Sequence, residues 1–196
     1  MSRNVDLELA AHAVKTLLTA LGENTERSGL LETPGRVAKA LMEMTSGMDV
    51  DAAALLKSFP DDGERYDEMI VVSNIPFTSL CEHHMLPFRG HAAVGYIPDG
   101  RWVGLSKLAR LVDAYAKRLQ VQERMTVQVA TTLESALKCK GTGVVLRATH
   151  QCMECRGVQK HGSVTTTNSL LGVFREPAVR SEFFHSIAAA HSYAAE

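Results

Sequence analysis

Apolar side chains recur at steps of three and four along residues 5–21, with Leu7, Ala11, Val14, Leu18 and Leu21 on one stripe, which predicts an amphipathic helix. Gly22 supplies its stop, because glycine enters the left-handed C-terminal conformation without steric cost. A second helix is expected to open at Thr33-Pro34, an N-cap followed by proline at the first helical position, and to carry Val37, Leu41 and Met44 as far as Gly47. A third, shorter helix is expected over residues 51–59. Pro60-Asp61-Asp62-Gly63-Glu64 is turn chemistry, so the chain divides into a helical N-terminal region, 1–62, and a second domain, 63–196.

Beyond that turn the period shortens. Residues 69–75 and 91–97 are rich in Val and Ile or alternate small and apolar side chains, as strands do, and Pro98-Asp99-Gly100 closes the second. The two are expected to be antiparallel neighbours joined by a long loop holding Cys81-Glu82-His83-His84. Helical periodicity returns over 105–119 and 122–137, strand patterns over 143–148 and 163–174, and a last helix follows Pro177 through Phe183, Phe184 and Ile187. Two strands, two helices, two strands and a helix favour an α+β domain with helices on one face of an antiparallel sheet.

Composition narrows the function classes. With 196 residues, 45% hydrophobic and 22% charged, the chain can bury a core as a globular protein. A formal net charge of -1 provides no global field for nucleic acid or an anionic membrane, so an anionic ligand must be met by a local basic cluster. No run approaches the ~18 apolar residues of a membrane span, and Asp6 and Glu8 interrupt what a signal peptide would keep apolar. The expectation is a soluble, unexported, cytoplasmic protein. Four cysteines, Cys81, Cys139, Cys152 and Cys155, are too few and too uneven for a secreted disulfide framework; thiols beside histidines in a reducing compartment suggest a metal.

Cys81-x-x-His84 and Cys152-x-x-Cys155 have the spacing with which tight turns present pairs of ligands to one tetrahedral ion, and zinc is the favoured metal. All four ligands would make a closed structural clip; three would leave a position for water and chemistry. Spacing leaves both open, and the clip is the commoner outcome. Against it stand His83 beside His84, His150 two before Cys152, and Arg156 after Cys155, groups suited to proton transfer and anion binding.

Ser79-Leu80-Cys81-Glu82-His83-His84, Gly104-Leu105-Ser106-Lys107, Gln120-Val121-Gln122-Glu123-Arg124 and His150-x-Cys152-x-x-x-Arg156-Gly157 resemble the signature blocks of GTP cyclohydrolase I, in order and with similar separations from about Leu30 to the final helix. The resemblance implies a tunnelling fold (ββααββ) with an N-terminal helical extension, assembled into an oligomeric β-barrel: a homodecamer made as a dimer of pentamers, with active sites where subunits meet. It implies Zn2+ on Cys81, His84 and Cys152, with Cys155 a bystander. It also implies hydrolysis and rearrangement of GTP to 7,8-dihydroneopterin triphosphate with release of formate, a first step of pterin and tetrahydrofolate biosynthesis. His150 would protonate N7 of guanine, His83 would serve later proton transfers, and Ser106 would stand near the ribose. Gln122 and Glu123 would read guanine, and Lys107, Arg110, Arg156 and, from an adjacent subunit, Arg36 would hold the triphosphate. Two rivals remain: a zinc-clipped binding module using Cys155 as fourth ligand, and a related tunnelling-fold enzyme acting on another pterin or a 7-deazaguanine compound.

Overall fold

Three of the four period-2 runs form longer strands than their apolar stretches suggest, because pairing carries the backbone past positions that break the pattern; the fourth, expected over 163–174, is shorter, Thr165–Gly172, because the chain turns into a 3-10 helix at Val173. The computed structural model describes residues 3–60 and 66–193. Its elements are α1 (Leu7–Ala20), α2 (Thr33–Met44), β1 (Ser58–Pro60), β2 (Ile70–Cys81), β3 (Pro87–Ile97), β4 (Arg101–Val103), α3 (Leu105–Ala116), β5 (Leu119–Gln120), α4 (Gln122–Leu137), β6 (Gly141–His150), α5 (Gln151–Glu154), β7 (Thr165–Gly172) and α6 (Pro177–Tyr193).

Five strands form one sheet in the order β5-β2-β3-β6-β7, antiparallel except for the short parallel contact of β5 with β2. The expected strand and helix order of the second region is therefore present. The long loop between the first two strands is not: β2 runs on to Cys81 and β3 begins at Pro87, leaving a five-residue turn. Asn74, with φ 55°, and Pro76 hide the continuation, since a register shift between Val72 and Ile75 absorbs the irregularity. Pro76 lies where, among the described residues, β2 has no strand on its other side, so its missing N–H leaves no ladder bond unmade.

Val94, Tyr96, Val144 and Leu146 turn one sheet face toward Leu108, Leu111 and Val112 of α3 and Met125, Val129 and Leu133 of α4, forming the main core. The helices do not all share that face. Ala93 and Val145 point the other way and pack with Phe174 and with Phe183 and Ile187 of α6. Gly95 and Gly143, paired across β3 and β6, make room for those rings: a Cβ on Gly143 would stand 2.5 Å from Phe174 and 2.8 Å from Phe183.

In the N-terminal region α1 starts at an Asp6 cap whose carboxylate accepts from the Leu9 N–H at 2.8 Å, and Gly22 turns left-handed after its end. The cap of α2 is Glu32, one position before the expected Thr33, which becomes the first residue of the helix. The helix expected over 51–59 does not form. Asp51 accepts from the Ala53 and Ala54 N–H groups in a local turn, and Ser58–Pro60 leaves to pair with β4. Ala52 and Leu56 join the main core. Pro60, expected to open a turn, ends β1; the rest of that turn, 61–64, and the division at 62/63 lie outside the described residues.

Candidate metal centre

Antiparallel pairing of β3 with β6 sets Phe88 opposite His150, so the turn that enters β3 and the segment that leaves β6 emerge at the same end of the sheet. The turn is tight: Cys81 N–H donates to Leu86 O at 2.9 Å and Met85 N–H to Cys81 O at 2.8 Å, with Met85 at φ 55°. It is tied sideways to the start of α4. Glu82 N–H donates to Gln120 O at 2.9 Å, and Arg124 holds the Glu82 carboxylate with a two-pronged bond of 2.7 and 2.6 Å.

This brings Cys81, His84 and Cys152 together, with one ligand atom from each within 4.8 Å of the others. Donors on one tetrahedral ion, with bonds of about 2.0–2.3 Å, stand roughly 3.5–4 Å apart, so small side-chain adjustments suffice. Burial and the Cys81 thiol beside it push the Cys152 thiol upward, because two thiolates at this separation oppose one another. A soft divalent cation reverses that preference, and two sulfurs with one imidazole suit zinc among such ions. Cys155 is exposed and stands outside the group.

Arg156 Nη1 lies 3.0 Å from His84 Nε2 and can only donate, so that nitrogen accepts. A neutral imidazole has one lone pair; a metal held by His84 and this hydrogen bond exclude one another. A metal on His84 would release the guanidinium from this contact. His83 is exposed, with Nδ1 3.9 Å from Cys81 Sγ.

His150 stacks on Phe88, ring centroids 4.7 Å apart and 5° from parallel. Its Nε2 lies 2.8 Å from Gln122 Oε1. Burial holds its pKa below the ordinary imidazole range, against the pull of the Glu123 and Glu154 carboxylates. Gln122, expected to read guanine, is 1% exposed, and its Nε2 faces Leu146 O, Thr165 O and Thr167 Oγ1, each at 3.1 Å. Its amide is thus committed to the protein. Glu123, next on the helix, is exposed and free of that network. Thr126, Thr167 and the Glu82–Arg124 pair escape a reading by spacing, since they come from separate elements; Glu82 and Arg124 lie in recognised blocks, but no spacing pairs them.

Ser106 and Lys107 lie in the first turn of α3, and Arg110 lies one turn further on. β5 follows α3 and pairs beside Cys81, which puts the C-terminal end of α3 at the metal group. Ser106 stands about 15 Å back along the helix at 1.5 Å per residue. Arg36, on α2, is paired at 2.6 Å with Glu32. A cavity of about 770 Å³ lies elsewhere, bordered by Arg89, His91 and Arg147, whose side chains alternate with those of Phe88, Ala148 and His150 and so leave the opposite sheet face.

A sequence model of the family described as GTP cyclohydrolase I matches residues 10–188. Proteins named GTP cyclohydrolase 1 from Janthinobacterium sp. (strain Marseille) and Nitrosospira multiformis are 54% identical over 170 residues and 50% identical over 186. The first alignment covers 86% of each chain; the second covers 95% of this chain and 97% of the relative. One of the same name from Bacteroides fragilis is 48% identical over 92% of this chain and 93% of its own. Among solved structures, an apo archaeosine synthase QueF-Like overlays 55% of this chain and 97% of its own, with TM-score 0.46 at 16% identity.

Proposed function

As the chain belongs to the GTP cyclohydrolase I family of enzymes, we propose that it hydrolyses and rearranges GTP to 7,8-dihydroneopterin triphosphate with release of formate, using zinc on Cys81, His84 and Cys152. The observation that carries the proposal is the convergence of those three ligand atoms beside His150. Zinc held by three protein ligands supplies an acidified water and a Lewis acid at neutral pH.

The chain's own residues do the rest. His150 takes the proton released by the water that adds at C8 and delivers it to N7, making the ring nitrogen a viable leaving group. Glu123, exposed at the start of α4, accepts from the N1–H and 2-amino groups of guanine. His83 serves the later proton transfers, and Arg156 takes a phosphate oxygen. Ser106, Lys107, Arg110 and Arg36 act on the ribose and triphosphate from a neighbouring copy, in a homodecamer built from two pentamers. Unpaired thiols fit a reducing cytoplasm, and among the described residues no helix is long and apolar enough to cross a membrane.

The test is incubation of metal-analysed, assembled protein with GTP, following formate and the fluorescent pterin. Both products are expected in equal amounts. A zinc-loaded assembly that leaves GTP intact would overturn the proposal.

A further inference from the structure

Gln122 stands between two strands and a catalytic imidazole, and its amide can face only one way. Leu146 O and Thr165 O are carbonyl oxygens and cannot donate, so the amide nitrogen, not its oxygen, must be turned toward them. The rest of the network agrees. Thr126 Oγ1 donates to Gln122 O at 2.7 Å and is therefore free to accept from Thr167 Oγ1 at 2.6 Å, which leaves Thr167 Oγ1 accepting from Gln122 Nε2. Every donor meets an acceptor in this direction and in no other. Gln122 Oε1 is then an acceptor aimed at His150 Nε2, and Nε2 must carry a hydrogen.

We propose that Gln122 is a positioning residue that locks His150 in its Nε2–H tautomer and leaves Nδ1 bare, as the nitrogen that takes a proton from the water adding at C8 and passes it to N7. The ring plane is fixed at the same time by the stack on Phe88. Both restraints come from the sheet and α4, so His150 is held independently of the turn that carries His83 and His84. The tautomer of an imidazole is set by the partner of its other nitrogen, and here that partner is itself immobilised by three acceptors. Glu123, whose side chain is exposed, is left as the side chain of this pair that meets guanine.

The inference rests on the proposed activity for the meaning of Nδ1, but its primary test does not use activity. Zinc-loaded, assembled protein labelled with ring-15N histidine is examined by solid-state NMR at neutral pH, and the His150 resonances are identified by their loss in His150→Gln. Protonated Nε2 and unprotonated Nδ1 are expected; protonated Nδ1 in the unsubstituted protein would overturn the proposal, without reference to any variant. Gln122→Met, which keeps length but removes the acceptor, is expected to give a mixture of tautomers, and an unchanged single tautomer there would also overturn it.

Kinetics separate positioning from guanine reading. Gln122→Met is expected to lower kcat about tenfold or more, up to the ~10²–10⁴ that general acid–base catalysis supplies. KM for GTP should stay within about threefold, and the preference for GTP over inosine triphosphate should be kept. A loss confined to KM, with that preference collapsed, would instead assign Gln122 to the base. Failure of the unsubstituted enzyme to consume GTP would remove the activity and leave the tautomer result standing.

Discussion

The four thiols differ in environment, and the differences predict their chemistry. Cys139 is partly buried, and burial pushes its pKa up to about 11, so near neutral pH it stays protonated and unreactive. Cys155 is exposed and free. An alkylating reagent at pH 8 is expected to modify Cys155 first and Cys139 only once the chain unfolds, with zinc protecting Cys81 and Cys152; peptide mapping by mass spectrometry reads the order. The same contrast separates an open site from a closed clip. Cys155→Ser is expected to keep one metal per chain by elemental analysis, while Cys152→Ser loses it. Loss of metal from Cys155→Ser would mean a four-ligand clip and would remove the open position that water needs.

At the scale of elements, glycines decide how closely the site's supports approach. Gly90 in β3 faces Ala148 in β6, and a Cβ there would run into the backbone carbonyl of Arg147, which cannot step aside as a side chain can. Gly90→Ala is expected to cost about 1–3 kcal/mol or more by overpacking, to lower the melting temperature, and to reduce metal content by displacing the strand that leads to Cys152. Gly35 is the opposite case: it lies in α2 with nothing within 4 Å of an added Cβ, so Gly35→Ala is expected to stabilise by about 0.5–1 kcal/mol. Thermal unfolding of the two variants reads both signs. How legible such elements are in sequence follows from what encodes them. Residues 122–137 are helical by period alone, and α4 has those bounds, because every buried position on it faces one sheet. The outer halves of β2 and β3 are not legible, since Asn74 and Pro76 in β2 and Pro87 and Gly90 in β3 break the alternation and pairing restores the strand. The 3.6-residue period also cannot say which sheet face a helix takes; α6 goes to the second face because Gly95 and Gly143 open it. Within the site, Cys81, His84 and Cys152 are legible from short spacings. The His150–Gln122–Thr167 chain is not, because its members meet only through the β6–β7 register and the start of α4.

The whole molecule leaves surfaces that a single copy does not use. Among the described residues no strand borders the outer edge of β7, and β2 is covered by β5 only at Leu80 and Cys81, so both margins of the sheet expose unpaired backbone groups. Leu9, Leu17 and Leu21 are more than half exposed, and no residue of α1 is buried. Closure of such edges by further copies is the expected remedy, and light scattering should give a mass roughly ten times the 21.4 kDa of one chain. A sharper test uses the separation of Lys107 from the metal group. If Lys107 serves a neighbour's centre, a Cys152→Ser copy still offers an intact Lys107, and a Lys107→Ala copy still offers an intact metal group. Each variant alone is expected to be inactive. Co-expressed with different tags and purified for both, random assembly should leave roughly a quarter of the interfaces with both parts intact and restore that share of GTP turnover. If Lys107 instead acts within its own chain, every mixed interface lacks one part and the doubly tagged assemblies stay as inactive as their parents. The fractional recovery therefore reports which copy supplies the triphosphate contact, independently of whether either variant binds GTP more weakly.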